Sequence, residues 1–157
     1  MALKIRDAGP EDFPTALEIA RSFHKESNFR NVPFSEKKML SLFEWAVDSP
    51  SYMFVVFEDD GDIIGGFVAY LDHFYFSDAI LANDLALFVI PEKRGKVPIR
   101  KVLRMYRLWA LEHGAMRINI GSTTGINTER VEKLFALLGF ERTGAVFAHF
   151  PSVSLEG

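Results

Sequence analysis

Three residues in one short loop have the chemistry of an anion site. Arg94, Gly95 and Lys96 follow an apolar run that ends at Ile90 and Pro91, and they precede a stretch with helical spacing. The first backbone N–H groups of a helix have no partner within that helix, and the helix dipole is positive at the same end. A basic loop that contains glycine at this position predicts a phosphate-binding site.

Basic residues continue along the predicted helix. Residues 93–107 contain seven of the eighteen basic residues of the chain and no acidic residue. The basic residues at the helix mouth favour a functional interpretation, whereas those farther along fit the solvated side of an amphipathic helix. This second group comprises Arg100, Lys101, Arg104 and Arg107.

The signatures of several other chemistries are missing from the sequence. It contains no P-loop, no G-x-G-x-x-G, no H-E-x-x-H, and no cysteine for disulfides, thiolate catalysis or zinc–sulfur sites. The four histidines lie far apart in sequence, so we expect no metal site. A net charge of −3 argues against a surface that tracks nucleic acid throughout, and we do not expect nucleic acid as a partner.

Length and composition predict one globular domain over residues 1–157. The chain is 48% hydrophobic and 25% charged, and no linker or repeat divides it. The longest apolar run, residues 63–71, is far shorter than the roughly 20 residues that a membrane-spanning helix needs. Residues 1–7 carry charges where a signal peptide needs apolar residues. We therefore expect a cytoplasmic protein with no membrane partner.

The elements that position the basic loop follow from the spacing of apolar residues. Continuous or alternating β-prone runs predict strands, and the turn cluster after the second run predicts a hairpin. The strand before the basic loop is apolar on both faces, so we expect it to be central and covered. The predicted strands are residues 2–8, 52–57, 63–75, 79–90, 117–121 and 142–150.

Four helices are predicted from apolar residues at helical spacing. The first follows Asp12 as an N-cap, and the second follows Ser35. The third follows Pro98 and ends at Gly114. The fourth begins at residue 127 or 128 and ends at Gly139 in a Schellman motif. Residues 24–34 are expected to form an irregular loop. Because only residues 79–120 form a β-α-β crossover, the element order predicts a mixed sheet.

The segment around the basic loop resembles a known family. Residues 89–96, the helix that ends at Gly114, and residues 127–140 with their Gly139-Phe140 pair are similar to the central motifs of the GNAT acyltransferase superfamily. The resemblance covers roughly residues 85–140. It implies an α/β (α+β) single-domain fold with a mixed, mostly antiparallel sheet of about six to seven strands. Helices would cover both faces, and the two strands of one parallel crossover would splay apart.

The resemblance also implies acetyl-CoA, or another acyl-CoA, as co-substrate. Its pyrophosphate would meet the backbone N–H groups of residues 94–100, and its pantetheine arm would pair with the strand at residues 87–89. The cofactor-binding residues implied in this way are Leu87, Phe88, Val89, Arg94, Gly95, Lys96, Val97, Ile99, Arg100, Asn127 and Thr128.

The loop departs from the family pattern at two positions. Val97 and Ile99 occupy places where the family has small residues, and Pro98 between them has no N–H to donate. Either Gly95 makes the close approach to phosphate, or the basic side chains of the loop and of Arg100 supply more of the binding. The third alternative is that CoA is not held here at all.

A carboxylate is the usual base that takes a proton from the attacking amine. Asp84 is our candidate, because Asn83 and Asp84 are the only polar pair in residues 79–90. The alternative is that Asp84 begins the strand in solvent. Asp72 and Glu26 are weaker candidates.

The family often has a tyrosine as general acid where this chain has Phe135. Phenylalanine has no proton to donate, and its spacing fits a core residue of the fourth helix. The leaving thiolate would then take its proton from water or from a hydroxyl such as that of Ser122 or Thr123.

The resemblance predicts an N-acyltransferase in which a small-molecule or peptide amine attacks the thioester directly. The acceptor would enter between residues 24–34 and the last strand, near His149, and backbone N–H groups near Leu87 and Phe88 would hold the oxyanion. The alternative is a non-catalytic module of the same fold that binds acyl-CoA, nucleic acid or an acidic protein through the basic helix. The sequence leaves a homodimer open.

Overall fold

The computed structural model describes residues 3–151, in which five strands and four helices follow one another. Short 3-10 turns at Pro10–Asp12 and Pro91–Lys93 lie before the first and third helices. No helix in this range is both long and apolar enough to cross a bilayer. In chain order the elements are β1 (Leu3–Asp7), α1 (Phe13–Glu26), α2 (Glu36–Asp48), β2 (Tyr52–Asp59), β3 (Asp62–His73), β4 (Ile80–Val89), α3 (Ile99–Glu112), β5 (Ala115–Ile118) and α4 (Thr128–Leu137).

The strands form one sheet in the order β1-β2-β3-β4-β5. All neighbours are antiparallel except β4 and β5, which are parallel and are joined through α3. The predicted mixed, mostly antiparallel sheet with one crossover is therefore confirmed. β5 lies earlier than expected, at Ala115–Ile118 instead of residues 117–121, and α1 continues to Glu26 into the expected loop.

The predicted last strand, residues 142–150, is wrong, so the described sheet has five strands and not six or seven. Residues 141–151 are exposed, and the Phe147 side chain is 92% exposed. A single side-chain hydrogen bond, from Arg117 to the Thr143 hydroxyl at 3.1 Å, links this segment to β5. β-propensity reflects the fit of a side chain to a half-buried sheet surface, and here no such surface lies beneath the segment.

Helices cover both faces of the sheet, as expected. On one face α1 and α2 pack against Phe54, Val56 and Val68. On the other face α3 and α4 pack against Val55 and Phe67. Alternate residues of the central strands therefore belong to two separate cores.

The helix ends follow the sequence closely, with one correction. Ser35 caps α2 by accepting a hydrogen bond from the Lys38 N–H at 3.2 Å. Asp12 precedes α1 but does not cap it. Its buried carboxylate instead accepts two bonds from Arg6, both at 2.8 Å, and one from the Gly9 N–H at 2.9 Å. The strong pairing of a carboxylate with guanidinium outweighs the capping role, and it ties β1 to the start of α1.

The predicted Schellman motif at the end of α4 is confirmed. Gly139 has a φ of +88°, and its N–H donates to the Ala136 carbonyl at 3.1 Å. The Phe140 N–H reaches back to the Phe135 carbonyl at 3.0 Å, and the two rings lie 6.2 Å apart. These bonds satisfy carbonyls that would otherwise be unpaired at the helix end.

Two glycines of β3 allow β4 to lie close to it. A Cβ atom on Gly65 would stand 2.2 Å from the Phe88 carbonyl oxygen. On Gly66 it would stand 2.8 Å from the Val55 carbonyl oxygen and 3.2 Å from the Phe88 ring. The position of the carboxyl-terminal half of β4 therefore depends on the absence of side chains at these two positions.

We expect Gly65→Ala to lower the free energy of unfolding by about 1–3 kcal/mol, because the added methyl group overlaps backbone that cannot rotate away. The measurement is the urea midpoint. Gly144→Ala is the matched control, since nothing lies within 4 Å of the added Cβ. Equal midpoints for the two variants would show that the β3–β4 contact is looser than described.

Candidate active site

A wedge opens where β4 and β5 separate. The two strands pair only over residues 80–82 of β4, and one further bond joins the Asn119 N–H to the Ala82 carbonyl at 2.8 Å. β4 then continues to Val89 with no described strand on that side. A β-bulge at Leu85 bends β4 at the same place. The splayed strand pair that the sequence predicts is therefore present.

Backbone groups of β4 point into this wedge. The Ile90 N–H donates to the Ile64 carbonyl at 2.9 Å, and the Phe88 carbonyl lies against Gly65, so these groups face β3. Backbone groups alternate in direction along a strand, so those of Leu87 and Val89 face the open edge. The Phe88 ring does not take part in this edge. It packs against Phe23 of α1, with 6.0 Å between the ring centroids.

The basic loop follows directly after β4. Gly95 has a φ of +89° and no atom within 4 Å of a Cβ built on it, so its backbone is open to an approaching group. Lys96 is exposed. Val97, in contrast, is only 6% exposed and lies in the core, and Ile99 packs against the same core. Their bulky side chains therefore do not block the outer surface of the loop.

Several backbone donors of the loop are already used within it. The N–H groups of Arg94 and Lys96 donate to carbonyls three residues earlier, and that of Ile99 donates to Val97 at 2.9 Å. None of these bonds uses the N–H groups of Gly95, Val97 or Arg100. An anion at the helix mouth would therefore depend on fewer backbone donors and on the basic side chains.

Arg94 bridges three elements. Its two terminal nitrogens donate to the two carboxylate oxygens of Glu26, at the end of α1, and its Nε donates to the Val89 carbonyl at 3.1 Å. The guanidinium holds the pKa of Glu26 below its usual range. The bridge lies beside a cavity of about 390 Å³ between α1 and the end of β4, whose apolar walls include Phe23 and Phe88.

Asp84 lies at the origin of the wedge, within β4 and not at its exposed start. The alternative of a solvated strand end is therefore wrong. Its Oδ1 accepts a hydrogen bond from the Gly121 N–H at 2.9 Å. Burial raises the pKa of Asp84 to about 6, and the bond from Gly121 only partly opposes this. Ser122 follows Gly121 and is half-buried, so the fold brings the two predicted catalytic residues to one place.

Polar contacts that the sequence analysis did not foresee fix the point of strand separation. The Asn83 side chain accepts a hydrogen bond from the Asn119 side chain at 3.0 Å. The Asn119 carbonyl accepts a hydrogen bond from the hydroxyl of buried Tyr106 at 2.6 Å. The side-chain oxygen of Asn119 accepts one from Arg117 Nε at 2.8 Å. The polar Asn83 beside Asp84 in β4, and Asn119 directly after β5, were the available signal.

The loop after α1 reaches across to the segment that follows β5. The Asn28 N–H donates to the Thr124 carbonyl at 2.8 Å, and Gly125 packs against the Asn28 side chain. This contact bounds one side of the wedge with residues from the predicted acceptor loop. The other expected boundary, a last strand near His149, is not formed in the described range.

Asn127 and Thr128 lie at the start of α4. Asn127 has a φ of +50°, and its side chain makes no capping bond. Both residues line an open depression of about 540 Å³ that also includes Arg130 and Lys133. The sequence analysis did not identify these two cations as part of a site.

Phe135 is a core residue, 8% exposed, as its spacing predicts. Arg107 corrects the expectation of a solvated basic face, because it donates to the Leu138 carbonyl at 2.9 Å and lies over the Phe140 ring. Arg100, Lys101 and Arg104 are exposed. Over residues 3–151 no three carboxylate or imidazole groups are placed to hold a metal ion.

Comparison with known proteins identifies the family and the fold. The model of the acetyltransferase (GNAT) family matches residues 16–140. No curated protein sequence matches the chain.

Solved structures of low sequence identity share the fold over nearly the full length of both chains. AAC(6')-Iy, in complex with a bisubstrate analogue of CoA and acetylneamine, is 19% identical with a TM-score of 0.70, over 97% of this chain and 99% of that one. Glucosamine-6-phosphate N-acetyltransferase from Arabidopsis thaliana is 12% identical with a TM-score of 0.73, over 96% and 99%. A transcriptional regulator from Bacillus halodurans C-125 is 15% identical with a TM-score of 0.75, over 95% and 100%.

We expect Asp84→Asn to stabilise the fold at neutral pH. An aspartate whose pKa rises to about 6 on folding, from 3.8, disfavours the folded state once it is ionised. Above pH 6 the variant should therefore have a higher urea midpoint than wild type, and its free energy of unfolding should be larger by up to about 3 kcal/mol. The gain should shrink as the pH falls from 6 towards 4. A constant difference from pH 4 to pH 8 would contradict a raised pKa.

Proposed function

We propose that this chain, which belongs to the acetyltransferase (GNAT) family, transfers an acetyl group from acetyl-CoA to an amine by direct attack. One observation carries the proposal. The half-buried Asp84, the open edge of β4 and the basic loop at residues 94–96 follow one another along one wedge. The family match supports it, as do the structural neighbours, which include N-acetyltransferases of aminoglycosides and of glucosamine-6-phosphate.

Acetyl-CoA would supply the thioester, and the residues of the wedge fit the rest of the molecule. The Leu87 carbonyl and the Val89 N–H, which face the open edge, are suited to the amides of the pantetheine arm. Gly95 offers open backbone, and Lys96 offers an exposed cation, to the pyrophosphate. Asn127, at the depression beside α4, extends the polar surface on the other side of the wedge.

Asp84 is suited to be the general base. With a pKa of about 6 it is largely ionised at pH 7 and still basic enough to accept a proton from the attacking ammonium or amine, directly or through water. A nitrogen–carbon bond forms while the carbon–sulfur bond breaks. The thiolate takes its proton from water or from the hydroxyl of Ser122 or Thr123, and the base later returns its proton to solvent.

The free N–H of Leu87 on the open edge is our candidate donor to the thioester oxygen as negative charge develops. One such fixed donor is worth about 3–4 kcal/mol in related chemistries. The acceptor would reach this point past Asn28 and Thr124. The chemistry accommodates a small-molecule or a peptide amine.

The alternative of a nucleic-acid or protein-binding module gains no support from the basic helix. Arg107 is engaged at the end of α4, which leaves three exposed cations on that face. The chain as a whole carries a net charge of −3. We therefore keep catalysis as the proposed function. A homodimer remains a prediction.

Binding of CoA is the first test. At 100 times its dissociation constant, CoA should stabilise the fold by about 2.7 kcal/mol, which for a domain of this size raises the melting temperature by a few degrees. Lys96→Gln should reduce the shift, whereas Lys101→Gln, at an exposed position farther along α3, should not. Absence of any shift for wild type would overturn the proposal.

Loss of the base is the second test. We expect Asp84→Asn to reduce kcat by about 10²–10⁴-fold, measured by thiol release with a panel of amines. In wild type, kcat should fall as the pH drops through about 6, because protonated Asp84 cannot accept a proton. Asp72→Asn, at an exposed position on β3, is the control and should retain activity. Full activity of Asp84→Asn would assign the base elsewhere.

A further inference from the structure

The ion pair between Arg94 and Glu26 occupies groups that acetyl-CoA needs. All three guanidinium nitrogens of Arg94 are bonded, two to the Glu26 carboxylate and one to the Val89 carbonyl. The Val89 carbonyl belongs to the open edge of β4. The pair therefore spans from the end of α1 to the edge of the wedge and holds the loop after β4 against both.

This arrangement conflicts with bound co-substrate. Under the proposed function, on which this inference rests, the pyrophosphate lies on the loop of residues 94–96 and the pantetheine arm pairs with the edge at Val89. While Glu26 and Val89 hold it, Arg94 keeps one free N–H on each terminal nitrogen, and because these two point apart it cannot make a two-bond contact with phosphate. A pantetheine amide also cannot donate to the Val89 carbonyl from the position that Arg94 Nε occupies. Both contacts require Arg94 to move.

We propose that Glu26 is a positioning residue that sets the affinity for acetyl-CoA by holding Arg94 across the open edge of β4 in the free enzyme. When acetyl-CoA binds, Arg94 leaves Glu26 and Val89 and donates to the pyrophosphate instead. The exchange is feasible because the pair is only partly sheltered, with 26% of the Arg94 side chain and 34% of the Glu26 side chain exposed. A bidentate contact to phosphate replaces a bidentate contact to carboxylate, and the diphosphate carries more charge.

Two other charges surround the pair. Lys25 lines the same cavity beside α1, and Glu92 adds a further negative charge near Arg94. Glu92 attracts Arg94 by charge alone, whereas Glu26 forms hydrogen bonds with it, so Glu26 is the carboxylate whose removal releases the two terminal nitrogens. A partly exposed ion pair contributes modestly, so we expect a two- to tenfold change in affinity.

The test is calorimetric titration of CoA into wild type, Glu26→Gln, Arg94→Gln and the double variant. Glu26→Gln should bind CoA two- to tenfold more tightly than wild type, because it weakens the hold on Arg94. Arg94→Gln should bind more weakly, and adding Glu26→Gln to it should change nothing. Glu36→Gln is the matched control, since it removes a similar pair with Arg21, at 2.9 Å, away from the wedge.

Steady-state kinetics provides a readout that a purely structural role would not give. Glu26→Gln should lower KM for acetyl-CoA and leave kcat unchanged, because the pair is absent from the loaded enzyme. Unchanged or weaker CoA binding by Glu26→Gln, while wild type binds, would overturn this inference and leave the proposed function intact. An equal gain in the Arg94→Gln background would also overturn it. No CoA binding by any variant would overturn both.

Discussion

The end of the parallel ladder between β4 and β5 is the constraint on which the site depends. The last backbone bond of that ladder joins Asn119 to Ala82. Beyond it, the edge of β4 has no strand partner in the described part of the chain, and backbone N–H and C=O groups are costly to bury without partners. The Asn83–Asn119 side-chain bond and the Tyr106 hydroxyl satisfy the polar groups at the point of separation. The chain therefore keeps a sheet edge open next to its core without leaving the branch point itself unsatisfied.

Asp84 occupies this branch point at a cost to stability. Burial raises its pKa, and hydrogen bonds from the backbone N–H groups of Gly121 and of Asp84 itself only partly compensate. No cation is paired with it among the described contacts. A salt bridge there would lower the pKa and remove the basicity that a proton acceptor needs. The lack of a paired cation is thus consistent with a catalytic use of the carboxylate.

The sequence predicts most of the fold because the fold depends on local rules. Helix spacing, the Ser35 cap and the Schellman motif at Gly139 each follow from a few neighbouring residues, and all are present. Residues 142–150 were predicted as a strand because they are β-prone, yet a strand also needs a partner edge and a buried face, which composition does not reveal. The role of Arg107 at the end of α4 and the Asn83–Asn119 bond were missed for the same reason, since both join residues more than thirty positions apart.

The candidate site shows the same division between local and long-range information. The basic loop and Asp84 are visible in sequence, since charge and polarity there interrupt apolar runs. The inward direction of Val97 and Ile99 is not visible, because it depends on how the loop turns onto the core. Because these two side chains point inward, their bulk does not block an anion at the outer surface of the loop. The group that occupies this surface is the Arg94 guanidinium. A loop with few free backbone donors depends on its cations, and the main one is held by Glu26 at the end of α1. The end of α1 and the loop of residues 94–96 are therefore joined through a single guanidinium.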